Sequence, residues 1–344
     1  MNHNRRNVLK LSLAGAAAGW TGGLAGFAKA QGTITARIGH LEAPSQPRHK
    51  GLEKLAALVK ERTGGAVEFQ LYPSSQLGNA RQMIESTQFG AIEGTVMPAA
   101  FLGGFNPVIS VLDIPYVFPT DRALSQKLRE GPFGKALLAS FNTRGVHALS
   151  IWPNGRKSLT SNKPLTNLQS FQGQKFRVMD SKILIDQFAA VGATAIAINF
   201  SELYTSLQTG LIDGQENPID TITTMKFHEV QKNLVVTEHG VMEDIVLFSN
   251  TFWNRLTPEQ RDIVTKAFDQ MRPEVEQMKE AVQTTSIEMI KNAKVNVRVA
   301  DEAERKALRD AMAPKARTTY EERAGAEGKK VLAVYDEERK KLGF

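Results

Sequence analysis

The chain has 344 residues, 42% hydrophobic and 23% charged, with no cysteine, which suits two packed α/β units and excludes a disordered chain, a disulfide framework, a thiolate zinc site and a cysteine nucleophile. Its formal charge of +7 is partly local: residues 1–30 hold Arg5, Arg6, Lys10 and Lys29 and no acid, and beyond them 39 bases face 36 acids. No basic block is interleaved with aromatics, so nothing points to nucleic acid, and the small positive excess suits an anionic ligand.

The first thirty residues read as a secretory leader. NRRNVLK at 4–10 leads into the apolar run 11–18, and Ala28-Lys29-Ala30 offers small residues for cleavage before Gln31. Arg5 and Arg6 resemble a twin-arginine export motif, with Val8 where that pattern usually has Phe, so the general secretory route stays open. The alternative of an uncleaved anchor has against it five glycines that interrupt the apolar stretch, short of a span of about 20 residues. This places the mature chain in the periplasm.

Beyond the leader, residues 34–38 alternate as a strand, and Leu52, Leu55, Leu58 and Val59 recur at helical spacing until Gly64-Gly65. A strand at 67–71, a helix holding Met83, Ile84 and Thr87, and a strand near 95–97 continue a βαβ rhythm, which predicts a mainly parallel, doubly wound sheet. Prolines 107, 115 and 119 mark a structured loop. A helix over about 121–142 precedes a strand at 146–152, which runs into the turn signal Pro153-Asn154-Gly155, where a hinge is expected. The second unit repeats the pattern: strand 175–179, helix 183–191, strand 193–198, helix 201–209. From Leu256 the chain turns helical and charged, opening on Thr257-Pro258-Glu259-Gln260, an N-cap with a proline at the first helical position and a capping-box partner.

Hydrolytic and nucleotide-binding motifs are missing: HExxH, GxSxG, the P-loop and the Rossmann glycine pattern do not occur. His40, His49, His147, His228 and His239 show no metal-ligand spacing, so neither a metal nor a cofactor is expected. What remains suits an anion. Arg177 sits in the apolar run Phe176-Arg177-Val178-Met179, where a lone guanidinium is costly to bury, and its fork matches a carboxylate as lysine does not; the competing reading is an internal salt bridge. Arg156 follows the hinge turn and faces either the cleft or solvent. Asn217, ahead of Pro218, is expected at a strand exit, where open α/β sheets bind ligands, or else caps its own turn.

Four segments carry a family resemblance: WPNGRKSLTSN (152–162), KFRVMDSK (175–182), NFSELYTSLQTGLIDGQENP (199–218) and LYPSSQLG (71–78). In order and spacing the chain resembles the solute-binding proteins of tripartite ATP-independent periplasmic (TRAP) transporters, DctP type. The resemblance implies a two-domain α/β periplasmic-binding-protein architecture with hinge strands, a long spanning helix and C-terminal helices. The expected division is 31–153 plus about 243–282 for one domain and 154–242 plus about 283–344 for the other, with the ligand between them. It also implies that Arg177 clamps a substrate carboxylate, with Arg156 as a second arginine, Asn217 holding the same group, and Phe200 and His239 lining the pocket. Trp152, Met179, Asp180, Met242 and Asp244 are candidates for its far end, although a buried core residue is the favoured reading of Trp152. The implied function is capture of a small organic acid, without catalysis, by a monomer that delivers it to small and large membrane subunits, DctQ- and DctM-like. Service to a sensor system is the alternative.

Overall fold

The computed structural model describes residues 32–344; the leader, its arginine pair and the cleavage expected before Gln31 lie outside the described residues. The strands are β1 (Ile34–Gly39), β2 (Val67–Tyr72), β3 (Gly94–Pro98), β4 (Val146–Ser161), β5 (Lys175–Val178), β6 (Thr194–Ala197), β7 (Gly214–Pro218), β8 (Asn233–Val236), β9 (Val241–Ser249) and β10 (Asn296–Val299). They run in the order β2-β1-β3-β9-β4-β7-β5-β6, with β8 joined to β4 and β10.

Each end of this sheet is parallel, as the βαβ rhythm predicts: β1 pairs with β2 and β3, and β5 with β6 and β7. The middle is not. β9 runs antiparallel to both β3 and β4, and β4 runs antiparallel to β7 and β8. The sheet is therefore mixed, because two strands that return through the centre join two parallel halves.

The largest departure from expectation is at Pro153-Asn154-Gly155. The chain does not turn there; β4 continues for 16 residues and shifts register against β9 between Pro153 and Gly155. Gly155 takes φ +142°, a conformation L side chains rarely adopt, and a Cβ there would sit 2.9 Å from Pro218 Cβ. The turn residues thus make a β-bulge inside a strand shared by both halves.

Helix boundaries follow the caps. Thr257 accepts from Gln260 N while the Gln260 side chain accepts from Thr257 N, and the helix Pro258–Asn292 follows. At 1.5 Å per residue it extends about 50 Å. It lies along the helix Pro47–Arg62 at one end, crosses β4, and reaches the helix Ile219–Thr224 at the other. A Cβ at Gly51 would overlap Val275, which is how the first helix comes so close. The single helix expected over 121–142 is two, Arg122–Glu130 and Pro132–Ala139, because Pro132 cannot continue the first and opens the second. A C-terminal helix, Glu302–Leu342, is broken at Gly325 (φ 58°). It packs on residues 107–113, on Pro132–Ala139 and on the helix Lys182–Ala189, with Tyr335 Oη donating to Val117 O at 2.7 Å.

The core beneath β1–β3 gathers Trp152, Phe69, Phe248, Phe252 and Phe268, each buried and worth about 1.5–3 kcal/mol in burial. Under β5–β7, Phe171, Phe176 and Phe188 stack in sequence.

Candidate ligand-binding cleft

The parallel strands of both halves end at one cavity. Leu41, Glu42 and Arg48 reach it from the chain after β1, and Pro98 and Phe101 from the end of β3. Arg177 comes from β5 and Met179 from just past its end, Phe200 from beyond β6, Asn217 and Thr221 from β7 and the helix after it, and Met242 from β9. The space they bound is narrow, about 10 Å³, room for a single water molecule. Its place at the carboxyl ends of parallel strands is where α/β sheets expose backbone and side chains that are not committed to the sheet.

Arg177 gets there through strand alternation. Phe176 and Val178 enter the core of their half, and Arg177 projects from the opposite face. It is 1% exposed. Its Nε donates to Ile198 O at 2.9 Å, and the guanidinium carbon lies 6.0 Å and 5.9 Å from the ring centroids of Phe101 and Phe200. Among the described residues no carboxylate lies within salt-bridge reach of it, and Nη2 has no hydrogen-bond partner. The internal salt bridge that competed with the ligand clamp is not formed. Burial pushes the guanidinium down to about 10, against the opposing pull of Glu216.

Asn217, 2% exposed, sits within β7 rather than at a turn, and its Nδ2 donates to Gln215. Behind it runs a buried polar chain. Lys157 Nζ donates to Glu216 Oε1 (2.7 Å), while the other carboxylate oxygen meets His239 Nε2 (2.7 Å) and Gln187 Nε2 (2.8 Å). Burial alone would raise the Glu216 carboxyl, but Lys157 and His239 outweigh it and hold it at about 2. Burial lowers His239 despite its acidic neighbour. At the other wall Arg48 lies 2.5 Å from Glu42 and 2.6 Å from Asp244, whose second oxygen accepts from Asn154 Nδ2 at 3.0 Å. Burial, with Glu42 adding repulsion, pushes the Asp244 carboxyl up.

The structure thus brings together Arg177, Asn217, Phe200, Met179 and Met242, and keeps other candidates apart from the cavity. Arg156 does not line it. Met242 and Asn217 face this cavity, whereas Val241, Glu243 and Pro218, their neighbours in sequence, face a second one of about 210 Å³ beneath the long helix, and Arg156 goes with the latter. There Arg156 donates to Pro119 O (2.5 Å) and Thr120 O (3.0 Å). Lys157, one residue on, turns inward instead. The bulge decides this, since one extra residue inverts the facing of everything after it. Trp152 is fully buried, 5.3 Å from Phe268 in the core. His239 stands a layer back, bonded to Glu216 and Thr237, and Asp180 is exposed past the end of β5. Lys157, Arg48, Glu42, Phe101 and Thr221 went unnoticed in the sequence. Only Lys157 left a signal there, as a second base in a strand-like run.

Among the described residues no group of three or more His, Asp or Glu is arranged to hold a metal ion, and no helix is long and apolar enough to cross a membrane. Comparison with known proteins agrees with the geometry. Residues 38–323 match the model of the DctP family, bacterial extracellular solute-binding protein, family 7. The chain is 37% identical, over 68% of its length and 70% of the relative's, to the C4-dicarboxylate-binding periplasmic protein DctP of Rhodobacter capsulatus. A crystal structure of a TRAP periplasmic solute-binding protein from Desulfovibrio salexigens with bound orotic acid is 57% identical, with a TM-score of 0.89 over 90% of this chain and 100% of that one. A sugar acid binding protein from Advenella mimigardefordensis in complex with galactonate is 28% identical, with a TM-score of 0.84 over 90% of this chain and 99% of the other. The two parallel halves, the strands shared between them and the spanning helix are the two-domain architecture of these binding proteins, and the chain belongs to the DctP family of bacterial extracellular solute-binding proteins.

Proposed function

We propose that this protein captures a small organic acid through its carboxylate and delivers it, without chemical change, to the small and large membrane subunits of a TRAP transporter. The observation that carries the reading is Arg177: a guanidinium 1% exposed, with no acidic partner among the described residues, at the junction of two half-sheets. A buried cation of this kind is unfavourable until an anion joins it. Two parallel charge-assisted hydrogen bonds from its fork are the strongest contact a carboxylate finds in a protein, and Asn217 stands beside it with an amide. Relatives that bind C4-dicarboxylates, orotic acid and galactonate support an acid as the ligand.

The units that enclose the ligand are residues 31–153 with about 243–282, and 154–242 with about 283–344. They close about the shared strands β4 and β9. Residues 1–30 are a leader removed before Gln31, leaving the mature protein in the periplasm. A thermal-shift screen of the mature protein against organic acids, orotate first, tests the reading. A true ligand at 100 times its Kd adds about 2.7 kcal/mol of stability. If no organic acid raises the midpoint, the carboxylate reading is wrong.

A further inference from the structure

We infer that the cavity selects an acid whose far edge carries a neutral N–H beside a C=O, a cis-amide or imide edge on a flat ring, and that Arg48 and Glu42 are the residues that select it. The inference rests on the carboxylate reading, since Arg177 holds the other end.

The far wall offers no free cation for a second carboxylate. Arg48 lines the cavity at 1% exposure, but its charge is already met by two carboxylates, Glu42 at 2.5 Å and Asp244 at 2.6 Å. A second anion would find no unmatched positive charge there and would lie against Glu42 and the Asp244 carboxyl, at a cost that grows in a buried site. What the pair does offer is a donor next to an acceptor. Arg48 Nη1 is buried and without a partner among the described residues, and the Glu42 carboxylate, which also lines the cavity and accepts from the Gln46 amide, keeps a lone pair beyond those that Arg48 Nη2 and Gln46 use. A ligand C=O accepting from Nη1 and an adjacent N–H donating to Glu42 satisfy both at once. Asp244, anchored by Asn154 on the bulge of β4, fixes the guanidinium and positions it for this contact.

The walls between the two ends favour a flat, mostly apolar body. Phe101 and Phe200 flank Arg177, Leu41, Pro98, Met179 and Met242 add apolar surface, and Thr221 contributes one hydroxyl without a partner among the described residues. A polyhydroxylated chain would leave hydroxyls without partners against these side chains, whereas a ring stacks on them.

Calorimetric titration of the mature wild-type protein with orotate, its ring-N-methylated forms, benzoate, succinate and galactonate decides the matter. Orotate is expected to bind tightest. Benzoate, with the same carboxylate and ring, and at least one N-methylorotate should bind about 30-fold or more weaker, as a buried donor or acceptor is left unmet. Glu42→Gln should weaken orotate while leaving benzoate within threefold. Benzoate within threefold of orotate, equal loss for both acids in the variant, or succinate or galactonate as the tightest ligand would overturn the inference and leave the carboxylate clamp standing. Binding of none of these acids would overturn both. Should Glu42→Gln fail to fold, the wild-type series decides alone.

Discussion

Arg177 makes two forecasts of opposite sign, and replacing it with methionine tests both. In the ligand-free protein the guanidinium is buried without an anion and pushed well below its ordinary value, to about 10. A lowered base destabilises the fold at any pH below its folded value, and that penalty fades only as pH rises above about 10 toward the ordinary guanidinium value. At pH 7 it amounts to about 3 kcal/mol. Methionine keeps most of the side-chain volume against Phe101 and Phe200 without the charge, so Arg177→Met should raise ligand-free stability by about 1–3 kcal/mol, a few degrees in midpoint. Binding should move the other way. With the clamp gone, a ligand carboxylate is desolvated with no partner, at about 2–5 kcal/mol, or roughly 30-fold to several-thousand-fold in Kd. Arg177→Lys should recover part of this, since its charge survives without the fork. Melting curves without ligand and titrations with the best acid from the screen read the two effects separately. A variant that binds within threefold of wild type, or whose ligand-free midpoint falls steeply, would refute the reasoning.

Arg156→Ala should leave affinity within threefold, because the side chain lies outside the cavity. Loss of its bonds to Pro119 and Thr120 should instead lower stability by about 1–3 kcal/mol, seen in the same melts. Asp113, which accepts from Ser181 Oγ at 2.7 Å, is pushed up to about 6 by burial, with Lys157 and Ser181 opposing. Its folded value lies above its unfolded 3.8, so its contribution to stability falls as pH rises from about 4 to 6 and is level beyond. Asp113→Asn should therefore gain about 2–3 kcal/mol at pH 7 and almost nothing near pH 4, as denaturant melts at the two pH values will read. Gly155→Ala should cost about 1–3 kcal/mol, from positive-φ strain and contact with Pro218; an unchanged midpoint would mean the bulge is not held as described.

Much of this molecule is written locally in its sequence. The capping box at Thr257 and Gln260, the helix-ending glycines 64 and 65 and the alternation of Lys175–Val178 each depend on neighbours a few residues away, so pattern alone identifies them. Arg177 was legible because an apolar strand with one guanidinium is anomalous wherever it folds. The antiparallel centre of the sheet was not legible, since β9 pairs with β3 and β4 across about 90 to 150 residues and no local signal reports a partner. Nor was the facing of Arg156 and Lys157. Both bases sit in one run, and only the bulge at Pro153–Gly155 decides which turns inward. Arg48 and Glu42 are ordinary charged residues near a helix start in the sequence; they become one wall of the cleft only because β3 alone separates β1 from β9, which carries Asp244. Side-chain chemistry is thus a property of the sequence, but which of those side chains share a desolvated space is decided by long-range strand pairing and by the two register shifts within β4.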